Sequence, residues 1–269
     1  MKYGFVLPDL DVTTAPPLAA LAEMAGWDGV FIPDCLSIEV PGTPAMPASD
    51  PWVTLAAMAL TTSRVTVGPM VAAVTRRRPW KLAREVATLD ILSGGRMVLP
   101  VGIGAAGDDA GFRDVGEEMG VRARAGLLDE TLTILDGLWR GEPFSFTGEH
   151  YKIGSMTQLP VPAQRPRVPL WVVGAWPSKR SIARALAWDG VVLQPAGPPT
   201  LEVVRELRDR VSSGRQPGKP FEVVVDATGS RVSPAAWREA GVTWLVTSMW
   251  SGHTAESLRA GITAGPRKS

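Results

Sequence analysis

The chain has 269 residues, 45% of them hydrophobic and 20% charged, so it can bury a sizeable core and shows no compositional sign of disorder. With 28 Lys and Arg against 27 Asp and Glu, the net charge of +1 offers no broad footprint for nucleic acid or an anionic membrane. A lone cysteine, Cys35, excludes an intramolecular disulfide and a cysteine-rich zinc site, and two distant histidines, His150 and His253, argue against a histidine-rich metal centre.

The N-terminal MKYGFVLPDLDV carries acids too early for a signal peptide, and no run of about 18 apolar residues follows. A cytoplasmic protein is expected. Along the chain, short β-branched runs alternate with helical patterns, the rhythm of βαβ units. Strand 1 is expected at Tyr3–Pro8 with a helix over Pro16–Ala25, then strand 2 at Gly29–Pro33 and a helix over Pro51–Thr61. Strand 3 is expected at Val65–Ala72, and a helix over Pro79–Leu92 ends at Ser93-Gly94-Gly95. Leu82, Val86 and Leu89 give that helix one apolar stripe.

Strand 4 follows at Met97–Gly102, then a long helix over Val121–Trp139 with Leu128, Leu132 and Leu135 on one side. Residues 140–169 are rich in Pro and Gly and break the rhythm as a hairpin and loop excursion. Four more units follow, with strands at Leu170–Gly174, Gly190–Gln194, Phe221–Ala227 and Val242–Met249. Their helices are expected at Ser178–Trp188, Thr200–Ser212, Pro234–Ala240 and Ala255–Ala264. Eight repeats without a linker predict a single (β/α)8 TIM barrel over residues 1–269, with a shortened C-terminal third; a doubly wound open sheet is the competing arrangement.

In such a barrel the chemistry sits where strands end. The candidates are Pro8-Asp9, Asp34-Cys35, Pro69 to Val74, Gly102 to Gly107, Gly174 to Trp176, Gln194-Pro195, Asp226 and Met249 to His253. Asp34, Cys35 and His253 are the candidate catalytic groups, and Asp9 and Trp250 the candidate substrate contacts. Ser178, opening a helix, is in physical terms either a plain N-cap or an anion site. Gly102-Ile103-Gly104-Ala105-Ala106-Gly107 fits a dinucleotide-binding pattern, but Asp108, Asp109 and Asp114 follow at once, and negative charge beside a pyrophosphate is unfavourable. Arg76, Arg77 and Arg78 form either a solvated triplet or a site for an anionic tail.

The stretch from Arg78-Pro79 through Ala83-Arg84-Glu85, Ala87-Thr88-Leu89-Asp90 and Leu92-Ser93-Gly94-Gly95-Arg96 resembles the central block of the bacterial luciferase-like superfamily of flavin- and deazaflavin-dependent oxidoreductases. The resemblance continues through residues 122–151 and 162–191 and fades beyond about residue 195. It implies a barrel holding reduced FMN, or alternatively coenzyme F420, against the end of strand 3. There Pro69, Met70 and Val71 are expected to include a non-prolyl cis peptide. Gly102 and Gly104 would let the ring approach closely, and Gly174, Ala175, Trp176, Ser178, Gln194 and Pro195 would hold the cofactor phosphate.

The activity expected first is a reduced-FMN-dependent monooxygenase acting on a small organic substrate. A hydride-transferring oxidoreductase using coenzyme F420 is the alternative, and a non-catalytic flavin-binding homologue is the alternative of another class. A separate flavin or F420 reductase and a homodimer are implied as well. Two departures weigh against sugar-phosphate dehydrogenation: Cys35 replaces the His common after the strand 2 Asp, and Ala105 replaces a Glu that some deazaflavin enzymes carry.

Overall fold

Most helices in this protein start where a proline or a capping side chain makes the first turn cheap, and most strands where β-branched residues gather. The computed structural model describes residues 1–8, 11–36, 48–105, 110–215, 218–249 and 254–267. The first half runs β1 (Lys2–Val6), α1 (Ala15–Met24), β2 (Gly29–Ile32), α2 (Pro51–Thr61), β3 (Thr66–Pro69), β4 (Ala72–Ala73), α3 (Pro79–Leu92) and β5 (Leu99–Gly102). A short helix, α4 (Ala110–Arg113), precedes the long α5 (Val121–Leu138). The excursion contains an antiparallel hairpin of β6 (Phe144–Thr147) and β7 (Lys152–Met156). Regular alternation then resumes with β8 (Leu170–Trp176), α6 (Lys179–Leu186), β9 (Gly190–Pro195) and α7 (Leu201–Gly214). It closes with β10 (Glu222–Asp226), α8 (Pro234–Ala240), β11 (Trp244–Ser248) and α9 (Ala255–Thr263).

Local chemistry accounts for the helix ends. Asp50 caps α2 by accepting from Trp52 N at 2.9 Å and Val53 N at 3.0 Å, with Pro51 at the first helical position. Ser233 and Pro234 open α8 in the same way, and Gly241 closes it.

The barrel sheet is parallel throughout, in the order β3-β2-β1-β11-β10-β9-β8-β5-β4. β3 and β4 are halves of one stave, so nine strands make eight staves and the ring closes between them. A bridge between Val67 and Met97 fastens the lower half of that stave to the chain entering β5. The single strand expected over Val65–Ala72 is therefore broken. Pro69 ends β3 and the chain turns at Met70 and Val71, so β3 pairs with β2 while β4 pairs with β5. The α4 turn was not anticipated from the sequence.

Side chains alternate across each stave, so one set faces the helices and the other fills the barrel. Phe31, Val98, Trp171, Val224, Trp244 and Val246 pack with Val6 and Met70 as the inner cluster. Phe31, Trp171 and Trp244 rings meet at centroid distances of 5.3–6.1 Å. Burying a ring such as Phe31 contributes about 2–3 kcal/mol. These three aromatics plug the lower barrel, leaving the upper inner positions to smaller or polar residues. Among the described residues no helix is long and apolar enough to cross a membrane.

Candidate active site

The broken third stave forms one side of the C-terminal mouth. The Met70-Val71 peptide is cis, in the position expected. Met70 N donates to Ile32 O at 2.7 Å, which ties the break to β2. Met70 is buried and Val71 half-buried above the inner cluster. Gly102 pairs with Ala73, and a Cβ there would lie 3.1 Å from Val173 and 3.5 Å from Val71, so its absence lets those two side chains close over the strand.

Gly104 has φ +80°, and a Cβ there would meet the Phe112 ring at 2.4 Å. It is thus required for backbone and packing reasons together. Its neighbourhood presents carbonyls rather than amides: Arg124 donates through Nη1 to Ile103 O and Gly104 O, both at 2.7 Å, and Thr75 Oγ1 donates to Ile103 O at 3.0 Å. The described part of the glycine-rich segment grips a buried guanidinium, not a phosphate. Residues 106–109 lie outside the described residues.

Asp34, just beyond β2, is held from every side. Its carboxylate accepts from Ala73 N at 3.0 Å, Arg76 Nη2 at 3.1 Å, Arg77 Nη2 at 2.7 Å and Arg77 Nε at 3.3 Å. Its side chain is 1% exposed, against 9% for Arg76 and 20% for Arg77. Arg76 stands 5.3 Å from the Phe112 ring and Arg77 5.1 Å from the Trp52 ring. The solvated reading of the arginine triplet is therefore corrected for two of its members, and only Arg78 is exposed. The next residue, Cys35, is half-buried.

The opposite wall is polar, and strand alternation explains why. Counting up β11 from Trp244 through Val246, the next inward position is Ser248; counting up β10 from Val224, it is Asp226. The Asp226 carboxylate accepts from Thr228 N at 2.9 Å, from Thr228 Oγ1 at 2.5 Å and from Ser248 Oγ. Ser248 N donates back to Thr228 Oγ1 at 2.7 Å. Asp226 is exposed while Ser248 is buried. Sequence reasoning placed Asp226 at a strand end and did not single out Ser248 or Thr228.

Between these walls, β8 and β9 end side by side, pairing Ala175 with Gln194 and Trp176 with Pro195. Gly174 allows close packing, since a Cβ there would lie 2.5 Å from Val191 and 2.8 Å from Ile182. Trp176 is half-buried, with the Arg210 guanidinium 4.2 Å from its ring. Ser178 caps α6 by accepting from Ser181 N at 3.3 Å, and Ala175 N donates to Ser181 Oγ at 2.9 Å. Asp9, Trp250 and His253 lie outside the described residues.

The residues present fit a flavin-type group. Gly102 lets the half-buried Val71 pack beside Val173 next to the cis peptide, an apolar support for a ring. The first turn of α6 has amides without intrahelical acceptors and carries exposed Lys179 and Arg180, a setting suited to a phosphate.

A family model described as luciferase-like monooxygenase matches residues 8–258. The chain is 32% identical over 264 residues to an uncharacterised protein of Mycobacterium tuberculosis, covering 93% of this chain and 92% of that one. It is 33% identical over 204 residues to an F420-dependent glucose-6-phosphate dehydrogenase of Nakamurella multipartita, covering 74% of this chain and 58% of that enzyme. Among solved structures, an F420-dependent secondary alcohol dehydrogenase in complex with an F420-acetone adduct superposes with a TM-score of 0.79 at 17% identity, covering 98% of this chain and 96% of its own. A monooxygenase from Streptomyces bottropensis gives 0.70 at 26% identity, covering 90% and 75%.

Proposed function

The chain belongs to the luciferase-like monooxygenase family of oxidoreductases, and from that premise we propose that it is a hydride-transferring enzyme dependent on coenzyme F420. The Asp226–Thr228–Ser248 group carries this reading. Moving a hydride to or from carbon in an alcohol or carbonyl requires a proton to move at its oxygen, and the exposed Asp226 carboxylate, held at the end of β10 by Thr228 and by buried Ser248, is the group suited to exchange it. A bound deazaflavin would supply the hydride-exchanging carbon.

The chain's own residues do the rest. Met70 and Val71, with Gly102 beneath them, would support the ring, and the α6 N-terminus with Ser178, Lys179 and Arg180 would hold the phosphate. The Asp34–Arg76–Arg77 knot ties the chain just beyond β2 to the turn after β4. The F420-dependent relative at 33% identity supports this choice of cofactor. Ala105 and Cys35 direct the substrate away from sugar phosphates and towards a small alcohol or carbonyl compound. A separate reductase would supply reduced cofactor.

A second reading is the reduced-FMN-dependent monooxygenase, favoured by 26% identity to the Streptomyces bottropensis monooxygenase over 90% of this chain. Titrating the protein with coenzyme F420 and, under anaerobic conditions, with reduced FMN separates the two by fluorescence. Preferential binding of F420, with Ser248→Ala lowering turnover of a secondary alcohol and leaving F420 binding intact, is the expected outcome. Preferential binding of reduced FMN with oxygen consumption would replace the first reading by the second.

A further inference from the structure

Strand alternation divides the upper barrel into two unlike halves. On β8, Trp171 belongs to the inner cluster, so Val173 and Ala175 are the next inward positions; on β5, Val98 leads in the same way to Gly102. With Met70 and Val71 they make one half of the mouth small or apolar. On β9, Val192 packs against the inner cluster, and the next inward residue is Gln194. The same step leads from Val224 to Asp226 on β10 and from Val246 to Ser248 on β11. Val192 pairs with Val224, so Gln194 stands level with Asp226 on the neighbouring stave.

Their hydrogen-bonding capacity is not used up. A carboxylate offers about four acceptor sites. Thr228 N and Thr228 Oγ1 both donate to Asp226 Oδ1 and Ser248 Oγ donates to Oδ2, which leaves Oδ2 able to take a further donor. Gln194 is exposed, and among the described residues no hydrogen bond engages its carboxamide. Its β8 neighbour Ala175, also exposed, is too small to cover it. An amide donor and a carboxylate acceptor side by side complement a hydroxyl group, which donates one hydrogen bond and accepts another.

We propose that Gln194 is a substrate-contacting residue that, together with Asp226, selects substrates by an alcohol or carbonyl oxygen. This rests on the hydride-transfer reading above. The substrate hydroxyl donates to Asp226 Oδ2 and accepts from Gln194 Nε2. On oxidation the carbinol C–H bond breaks as a hydride passes to oxidised coenzyme F420, the hydroxyl proton goes to the Asp226 carboxylate, and the C–O single bond becomes the carbonyl. Gln194 exchanges no proton; its N–H stays on the oxygen in both states and keeps it within reach of Asp226. The Gln194 side chain faces the lumen, whereas α6 packs on the other side of the sheet through Ile182, so the amide serves the substrate and not the cofactor phosphate.

The test measures oxidation of propan-2-ol and cyclohexanol by F420, and F420 affinity by fluorescence, in the parent, Gln194→Leu and Gln194→Glu. Gln194→Leu should lower kcat/KM about 10–100-fold, as expected for one hydrogen bond lost at a reacting oxygen, with F420 affinity unchanged. Gln194→Glu puts a second carboxylate beside Asp226 and should move the acidic limb of the kcat/KM profile to higher pH. Both variants alter an exposed side chain, and thermal melting checks that they fold. Loss of F420 affinity in Gln194→Leu would put the amide on the cofactor and overturn the proposal, as would an unchanged kcat/KM or an unmoved pH profile. Those results would leave the F420 reading standing, whereas a parent protein that fails to bind F420, or binds it and oxidises neither alcohol, would defeat that reading and this assignment with it.

Discussion

Replacing Asp34 by Ala removes a carboxylate that four donor contacts hold at 2.7–3.3 Å, and leaves two guanidiniums facing each other across the gap. Removing one partner of a buried ion pair costs about 3–5 kcal/mol, mostly because the remaining charge is stranded. Arg77 is 20% exposed and lies over Trp52, so it can partly rehydrate, and Arg76 keeps the Asp34 carbonyl at 2.8 Å and the Phe112 ring. That places the expected loss near the lower end, about 3 kcal/mol. For a chain of this size the melting temperature should fall by about 6–12 °C. Asp34→Asn keeps an acceptor for Ala73 N but not the charge, and about half the loss is expected. Thermal unfolding followed by circular dichroism measures both variants, with cofactor binding measured in parallel. If Asp34→Ala melts within about 2 °C of the parent while activity disappears, the carboxylate reacts rather than holds, and the argument from burial is wrong.

Two further perturbations test other parts of the scaffold. Burial pushes the Glu23 carboxyl up, but hydrogen bonds from the backbone N–H groups of Val65, Arg64 and Ser63 and from the Ser63 hydroxyl outweigh it and hold it at about 2, against an ordinary 4.5. Because the folded value is the lower one, the stabilisation is complete above pH 4.5 and is lost as pH falls towards 2. Glu23→Gln should flatten that part of the stability profile and cost about 1–2 kcal/mol at neutral pH once solvent screening is allowed for; parallel urea profiles for parent and variant would refute it. Gly104→Ala forces a side chain into a positive-φ position against the fully buried Phe112. A loss of about 2–3 kcal/mol is expected from urea midpoints, and an unchanged midpoint would show that Phe112 moves freely.

What was legible in the sequence followed local signals. α2, α3 and α8 begin and end where expected because a proline opens each one and a stop or glycine follows within a residue or two. The break at Met70 and Val71 was foreseen only through the family resemblance, since nothing in residue type requires it. The arginine triplet was misjudged because its partner, Asp34, lies 42 and 43 residues away and is brought to it only by adjacent staves. Ser248 was within reach, because alternation from Trp244 points it inward; the boundary drawn at Met249 drew attention past it.

The family block itself encodes architecture more than chemistry. Arg96 donates to Ser93 O, Thr62 Oγ1, Val65 O, Ala59 O and Thr62 O, binding the ends of α2 and α3 to the start of β3. Buried Asp90 accepts from Gln164 N at 2.9 Å and Gln164 Nε2 at 2.7 Å, anchoring the segment that leads into β8. Both residues sit below the mouth, so a match to this block establishes the barrel and leaves its substrate open.

One row of side chains connects the two ends of the molecule. On β11, Trp244, Val246 and Ser248 share the inward face and span about 13 Å along the stave. The bottom member is buried at the N-terminal end of the barrel, and the top member bonds Asp226 at the mouth. Between them Val246 packs with Phe31, Trp171 and Val224 into an apolar plug. A charged group cannot cross such a layer without losing its hydration, so the plug separates the mouth from the N-terminal end of the barrel. Any coupling between them would have to pass through repacking of the tryptophan pair, whose rings lie 5.3 Å apart at the centre of the plug.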